Sequence, residues 1–88
     1  MDTFLCGIKV TGIDRRSMIF DIIRVISENK LLNIRSFHIE TSGDIFEAYI
    51  SLYVRDTIYI SRLSEELKNL NGINTAIRMS KFVPNFQY

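Results

Sequence analysis

Apolar and polar side chains alternate from Phe4 to Thr11: Phe4, Cys6, Ile8 and Val10 share one side, Leu5, Gly7, Lys9 and Thr11 the other. A period of two over that stretch predicts a half-buried strand. Gly12 breaks the alternation, and Gly12-Ile13-Asp14-Arg15-Arg16 reads as a connection. The period then lengthens. Ile19, Ile22, Ile23 and Ile26 recur at helical spacing, widened by Met18 and Val25, and predict a helix over residues 17–29. Asp14 or Ser17 offers the capping oxygen. So many β-branched residues lower helix propensity, so packing must hold this helix.

Period two returns in residues 33–41 and 45–55, on either side of Ser42-Gly43-Asp44, and predicts a hairpin. Phe37 and Ile39 face the core from the first strand, leaving Ser36, His38 and Glu40 opposite. In the second, Phe46, Ala48, Ile50, Leu52 and Val54 oppose Glu47, Tyr49, Ser51, Tyr53 and Arg55. Asp56 or Thr57 caps a second helix carrying Ile60, Leu63, Leu67 and Leu70, which runs to a stop at Gly72. Residues 73–79 make a short last strand, and 80–88 form a tail whose Phe82, Phe86 and Tyr88 either fray or dock. The order βαββαβ, with one apolar stripe per helix, demands both helices on one face of a four-stranded antiparallel sheet. Right-handed crossovers then give an α+β, ferredoxin-like two-layer sandwich.

Composition narrows the chemistry. The 88 residues carry 11 Lys+Arg against 10 Asp+Glu, a net charge of +1, too little for a field that gathers nucleic acid. One Cys and one His exclude a disulfide scaffold, a multi-Cys zinc site and the His-rich metal motifs within the chain, so no metal or cofactor is expected. Charges at Asp2, Lys9, Asp14, Arg15 and Arg16 interrupt any leader-like stretch, and a cytoplasmic protein with a reduced Cys6 thiol is expected. No apolar run approaches the roughly 20 residues that span a bilayer.

Four features remain as candidate chemistry. His38 beside Glu40 and Lys9 on the open face is either a general base or a solvated imidazole, with no nucleophile spaced to complete a site. Cys6, on the inward side of its strand, reads as an inert core thiol. Tyr49 and Tyr53, with Arg35, Arg55 and Lys9 nearby, are either a base-stacking platform or a patch that packs on another sheet. Asp14-Arg15-Arg16 before a helix is either an anion site or a solvated turn.

The order of motifs narrows this further. Gly-Ile-Asp-Arg-Arg-Ser-Met-Ile at 12–19, then Ile-Ile-Arg-Val-Ile-Ser and Asn33-Ile34-Arg35, resembles the Asp-Arg-x-Gly-(Leu/Met) opening of ACT domains, small regulatory modules that bind amino acids across paired domains. Ile39-Glu40-Thr41, Gly43-Asp44-Ile45-Phe46-Glu47, Leu52-Tyr53-Val54, Leu67 to Ile73 and Ala76-Ile77-Arg78 are similar to the C-terminal ACT domain of RelA/SpoT enzymes. Those are the guanosine tetra- and pentaphosphate synthetase/hydrolases of the stringent response. The resemblance spans residues 4–79 and implies a regulatory domain over 1–79 that controls catalytic domains outside this chain in response to amino-acid, ribosome or tRNA status. It implies a small amino-acid ligand beside Gly12, Asp14, Arg15, Ser17 and Met18, with Asn33 and Ile34 supplied by a neighbouring domain. Ser17 departs from the pattern: the family has glycine there, where the backbone approaches the ligand. The alternatives are a free-standing amino-acid sensor that dimerises through a strand edge or the open face, and an RNA-contacting module using Arg35, Tyr49 and Tyr53; Arg35, His38, Tyr49 and Tyr53 make up the candidate interaction face.

Overall fold

In a computed structural model, which describes residues 2–79, the elements are β1 (Phe4–Ile13), α1 (Met18–Glu28), β2 (Asn33–Ser42), β3 (Ile45–Val54), α2 (Thr57–Lys68) and β4 (Ile73–Met79). The tail at 80–88 lies outside the described residues. One antiparallel sheet runs β2-β3-β1-β4, and its interior side packs under both helices, giving the ferredoxin-like sandwich that the periodicities predict.

Alternation fixes the two sides. Cys6, Ile8 and Val10 of β1 and Phe46, Ala48, Ile50, Leu52 and Val54 of β3 are all buried, so the central strand pair supplies the sheet half of the core. Cys6 is a buried free thiol, as its position on β1 implies. The hairpin closes through Gly43, whose φ of 62° is the left-handed conformation such a turn requires.

Three expectations are corrected. β1 does not break at Gly12 but continues to Ile13, because Gly12 pairs with Phe46 on one side and Ile73 on the other. The missing side chain serves close packing here: a Cβ on Gly12 would sit 2.3 Å from the Gly72 carbonyl oxygen. The buried stripe of α1 is Met18, Ile22, Val25 and Ile26, while Ile19 and Ile23 are exposed. Both stripes obey helical spacing and share Ile22 and Ile26; a rotation of the helix about its axis separates them. α2 ends at Lys68 with Asn69 as its C-cap, and Gly72, at φ 94°, turns the chain into β4 rather than stopping the helix. Asp56 is the cap at the other end, its Oδ1 accepting from the Ile58 N–H at 3.0 Å.

Candidate functional site

The turn between β1 and α1 collects five of the residues singled out above. Its backbone is fastened to both neighbouring turns: the Ile13 N–H donates to the Gly72 carbonyl at 2.8 Å, and the Asp14 N–H to the Asp44 carbonyl at 2.8 Å. The hairpin turn, the α2–β4 turn and the β1–α1 turn therefore form one hydrogen-bonded cluster at a single end of the sheet.

Arg15 is the clamp in that cluster. Its Nε donates to the Asn71 carbonyl at 2.6 Å, one terminal nitrogen donates to Asp21 Oδ2 at 2.7 Å, and the other to the Arg16 carbonyl at 3.0 Å. The fork geometry of a guanidinium lets one side chain tie α1 to the α2–β4 turn. The Asp21 carboxyl is held below its ordinary range chiefly by the Arg15 hydrogen bond, with partial desolvation opposing and the charges of Arg15 and Arg24 assisting. Asp21 and Asn71 were not singled out from sequence. An acid in the first turn of a helix was the available signal for Asp21; for Asn71, whose backbone carbonyl does the work, there was none.

Ser17 stands at the N-cap with φ 68° and ψ 6°, the left-handed region, and its hydroxyl makes no capping bond. Among the described residues it is the one non-glycine with positive φ. Neither Asp14 nor Ser17 thus caps α1 through its side chain. The backbone path suits glycine, yet serine follows it. Met18, the next residue, is buried beneath α1, and Gly12 is buried in the strand, so Asp14, Arg15, Arg16 and Ser17 carry the accessible surface of the turn.

Asn33 and Ile34 are not part of this cluster. Asn33 pairs with Tyr53 of β3, whereas Gly12 pairs with Phe46, seven residues away along the same strand. At about 3.4 Å per residue the two groups lie roughly 24 Å apart in one chain. Asn33 and Ile34 line a separate cavity of ≈ 450 Å³ with Ile26, Asn29, Lys30 and Leu32, at the end where α1 enters β2.

The open face departs from expectation at Ser51, which is fully buried where its hydroxyl bonds that of Ser36 across the strands. His38, Tyr49 and Lys9 fall in one cross-strand row, and Tyr53 stands two pleat repeats further along β3, beside Leu5. His38 Nε2 lies 3.0 Å from Glu40 Oε1, the Tyr49 hydroxyl donates to Glu47 at 3.2 Å, and the Lys9 ammonium sits 5.5 Å from the Tyr49 ring centre. Lys9 faces Glu47 rather than Glu40, at 4.0 Å. Arg35 occupies a register shift between Ile34 and Ser36 and stands opposite no β3 residue. Among the described residues no group of three metal-ligating side chains occurs, and no helix is long and apolar enough to cross a membrane.

The structure is a small βαββαβ sandwich whose three turns at one end of the sheet are tied together by hydrogen bonds. A family model described as the ACT domain matches residues 1–78. The chain belongs to the ACT domain family. Two solved structures of the ACT domain from the GTP pyrophosphokinase of Chlorobium tepidum are similar to it. The solution structure is 30% identical, with a TM-score of 0.81 over 93% of this chain and 92% of that one. The crystal structure is 29% identical, with a TM-score of 0.80 over 89% and 100%. The C-terminal domain of the MgtC protein from Mycobacterium tuberculosis shares the fold alone, at 19% identity and a TM-score of 0.64 over 90% of each chain. No curated protein matches the chain.

Proposed function

We propose that this chain is the regulatory ACT domain of a RelA/SpoT-type guanosine polyphosphate synthetase/hydrolase, and that it responds to a small amino acid held between two neighbouring domains. The observation that carries the reading is the likeness, across nearly the whole length of both chains, to the ACT domain of a GTP pyrophosphokinase. The geometry is compatible with a shared cleft. The Gly12–Met18 turn and the Asn33–Ile34 segment lie too far apart to meet on one copy. A neighbour's Asn33 and Ile34 would complete the turn, and β2, at the edge of the sheet, is the strand along which such a neighbour can approach.

Regulation then follows from differential binding. A ligand bridging two domains favours the paired arrangement, and catalytic domains elsewhere in the protein follow that population. Ser17 already adopts the backbone conformation glycine would take, so the turn keeps its path and adds a hydroxymethyl group at the ligand's position.

Isothermal calorimetry of the chain against the twenty amino acids tests this directly. Saturable heat from one or a few of them is expected, strengthened in Ser17→Gly if the serine side chain narrows the cleft. Heat absent from both proteins refutes the amino-acid reading. The free-standing sensor gives the same heats, so the two are separated by whether the encoding gene also carries synthetase and hydrolase domains.

A further inference from the structure

One cross-strand row on the open face is made of small residues. Gly7 pairs with Met79 of β4 on one side and with Ser51 of β3 on the other, and Ser51 pairs with Ser36 of β2. Taller side chains stand on both flanks. Leu5 and Tyr53 form one wall, and Ile77, Lys9, Tyr49 and His38 form the other. A shallow trough therefore crosses the sheet, about 14 Å from β4 to β2 at one strand spacing per step.

Both helices pack on the other side of the sheet, yet the floor of this trough is closed to solvent. Ser51 is 0% exposed and Gly7 is buried. The bond between the Ser51 and Ser36 hydroxyls satisfies those groups without covering them. Leu5 and Tyr53, at 44% and 41% exposed, keep apolar surface for a further contact.

The chain itself carries a cover of the right chemistry and reach. β4 ends at Met79, the residue at the mouth of the trough, and nine residues follow it. They read Ser-Lys-Phe-Val-Pro-Asn-Phe-Gln-Tyr, three aromatics against one charge, which is not the polar composition of a solvated linker. Extended, they reach about 30 Å, roughly twice the width of the trough. Phe82 follows Met79 by three residues, a reach of about 10 Å, and Gly7 and Ser51 lie one and two strand spacings from Met79.

We propose that residues 80–88 turn back over the open face and lie along this trough, their phenyl rings packed over Gly7 and Ser51 between the walls. The missing side chain at Gly7 leaves room for a ring, and Tyr49 and Tyr53 offer aromatic edges and faces to it. In that position the segment occupies the candidate interaction face. Tyr49 and Tyr53 are then closed to a nucleic-acid base or a second sheet until it leaves.

Proton–proton contacts in the ¹³C,¹⁵N-labelled full chain read this packing directly. Nuclear Overhauser effects from the Phe82 or Phe86 ring to Gly7 Hα and Ser51 Hβ are expected, unchanged on dilution. The double variant Phe82→Ser/Phe86→Ser should shift the amides of residues 7, 36 and 51 and leave those of α1 in place. Its unfolding equilibrium constant should rise about tenfold or more, the loss expected when a buried phenylalanine is truncated. Rings of 82–88 without contact to the trough overturn the inference, as does a variant with wild-type amide positions and stability. Contacts found only between differently labelled copies in a mixed sample also overturn it, because they assign the face to a second copy. So do contacts that run along the free edge of β4 instead of over the sheet. None of these results bears on whether an amino acid binds the β1–α1 turn.

Discussion

Replacing Gly12 with alanine tests the cluster that joins the three turns. The new Cβ would lie 2.3 Å from the Gly72 carbonyl oxygen, 2.9 Å from Phe46 Cε2 and 3.0 Å from Ile73 Cα. Phe46 can tilt, but the other two atoms are backbone, so β4 and its turn must retreat from β1. Overpacking of this kind costs about 1–3 kcal/mol. The displaced carbonyl is also the acceptor for the Ile13 N–H at 2.8 Å, and losing that bond adds about 1 kcal/mol. Reduced entropy of the unfolded alanine chain offsets about 0.4–1 kcal/mol. A net loss of about 2–3 kcal/mol follows, which for a domain of this size lowers Tm by roughly 10–20 °C. Thermal and urea unfolding followed by circular dichroism would measure it. A loss under about 1 kcal/mol would show that the close approach of β1 to the α2–β4 turn is not maintained, and the Arg15 clamp with it.

Other substitutions probe other parts of the account. Ser17→Gly relieves a left-handed serine costing about 1–2 kcal/mol and adds glycine entropy of up to about 1 kcal/mol, so unfolding should show a gain of about 0.5–1 kcal/mol; a clear loss would contradict the strained turn. Ile22→Ala should cost about 2–5 kcal/mol and Ile23→Ala less than half as much, because the first is fully buried and the second is not; equal losses would return α1 to the orientation expected from its isoleucines. Because Arg15 depresses the Asp21 pKa in the folded state, ionised Asp21 stabilises the fold above its unfolded value of about 3.9. That contribution disappears as pH falls through the lower folded value. Wild type should therefore exceed Asp21→Asn in stability at pH 7 and converge with it in acid; a gap that persists at pH 2 would refute the pairing.

The parts of the fold that were legible in the sequence are those set by period. Most of β3 could be read from its alternation, and the structure buries each residue expected inside, but Ser51, expected outside, is buried as well, which it tolerates because its hydroxyl pairs with that of Ser36 on β2. α1 was legible as a helix but not in its rotation: Ile19 and Ile23 satisfy the same spacing as Val25 and Met18, and only the sheet beneath decides between them. Gly12 looked like a break because a side chain was missing from the pattern, whereas the gap is filled by a carbonyl from residue 72, sixty positions away in sequence. Tertiary contacts of that range leave no periodic trace. The turn residues of the candidate site were found by their resemblance to ACT domains, but the partners that hold Arg15 were not: Asp21 lies one turn into the helix that follows, and the Asn71 contribution is a backbone carbonyl, which no side-chain pattern marks.

In the proposed pairing, the β1–α1 turn of one domain and the Asn33–Ile34 segment of another form a single amino-acid cleft. Amide ¹H–¹⁵N spectra of the labelled chain, recorded while the amino acids are titrated in turn, test it most directly. One ligand should shift the amides of residues 12–18 and 33–34 together, with a slowing of molecular tumbling as the pair forms. Shifts confined to one of the two segments, at constant tumbling, would contradict it.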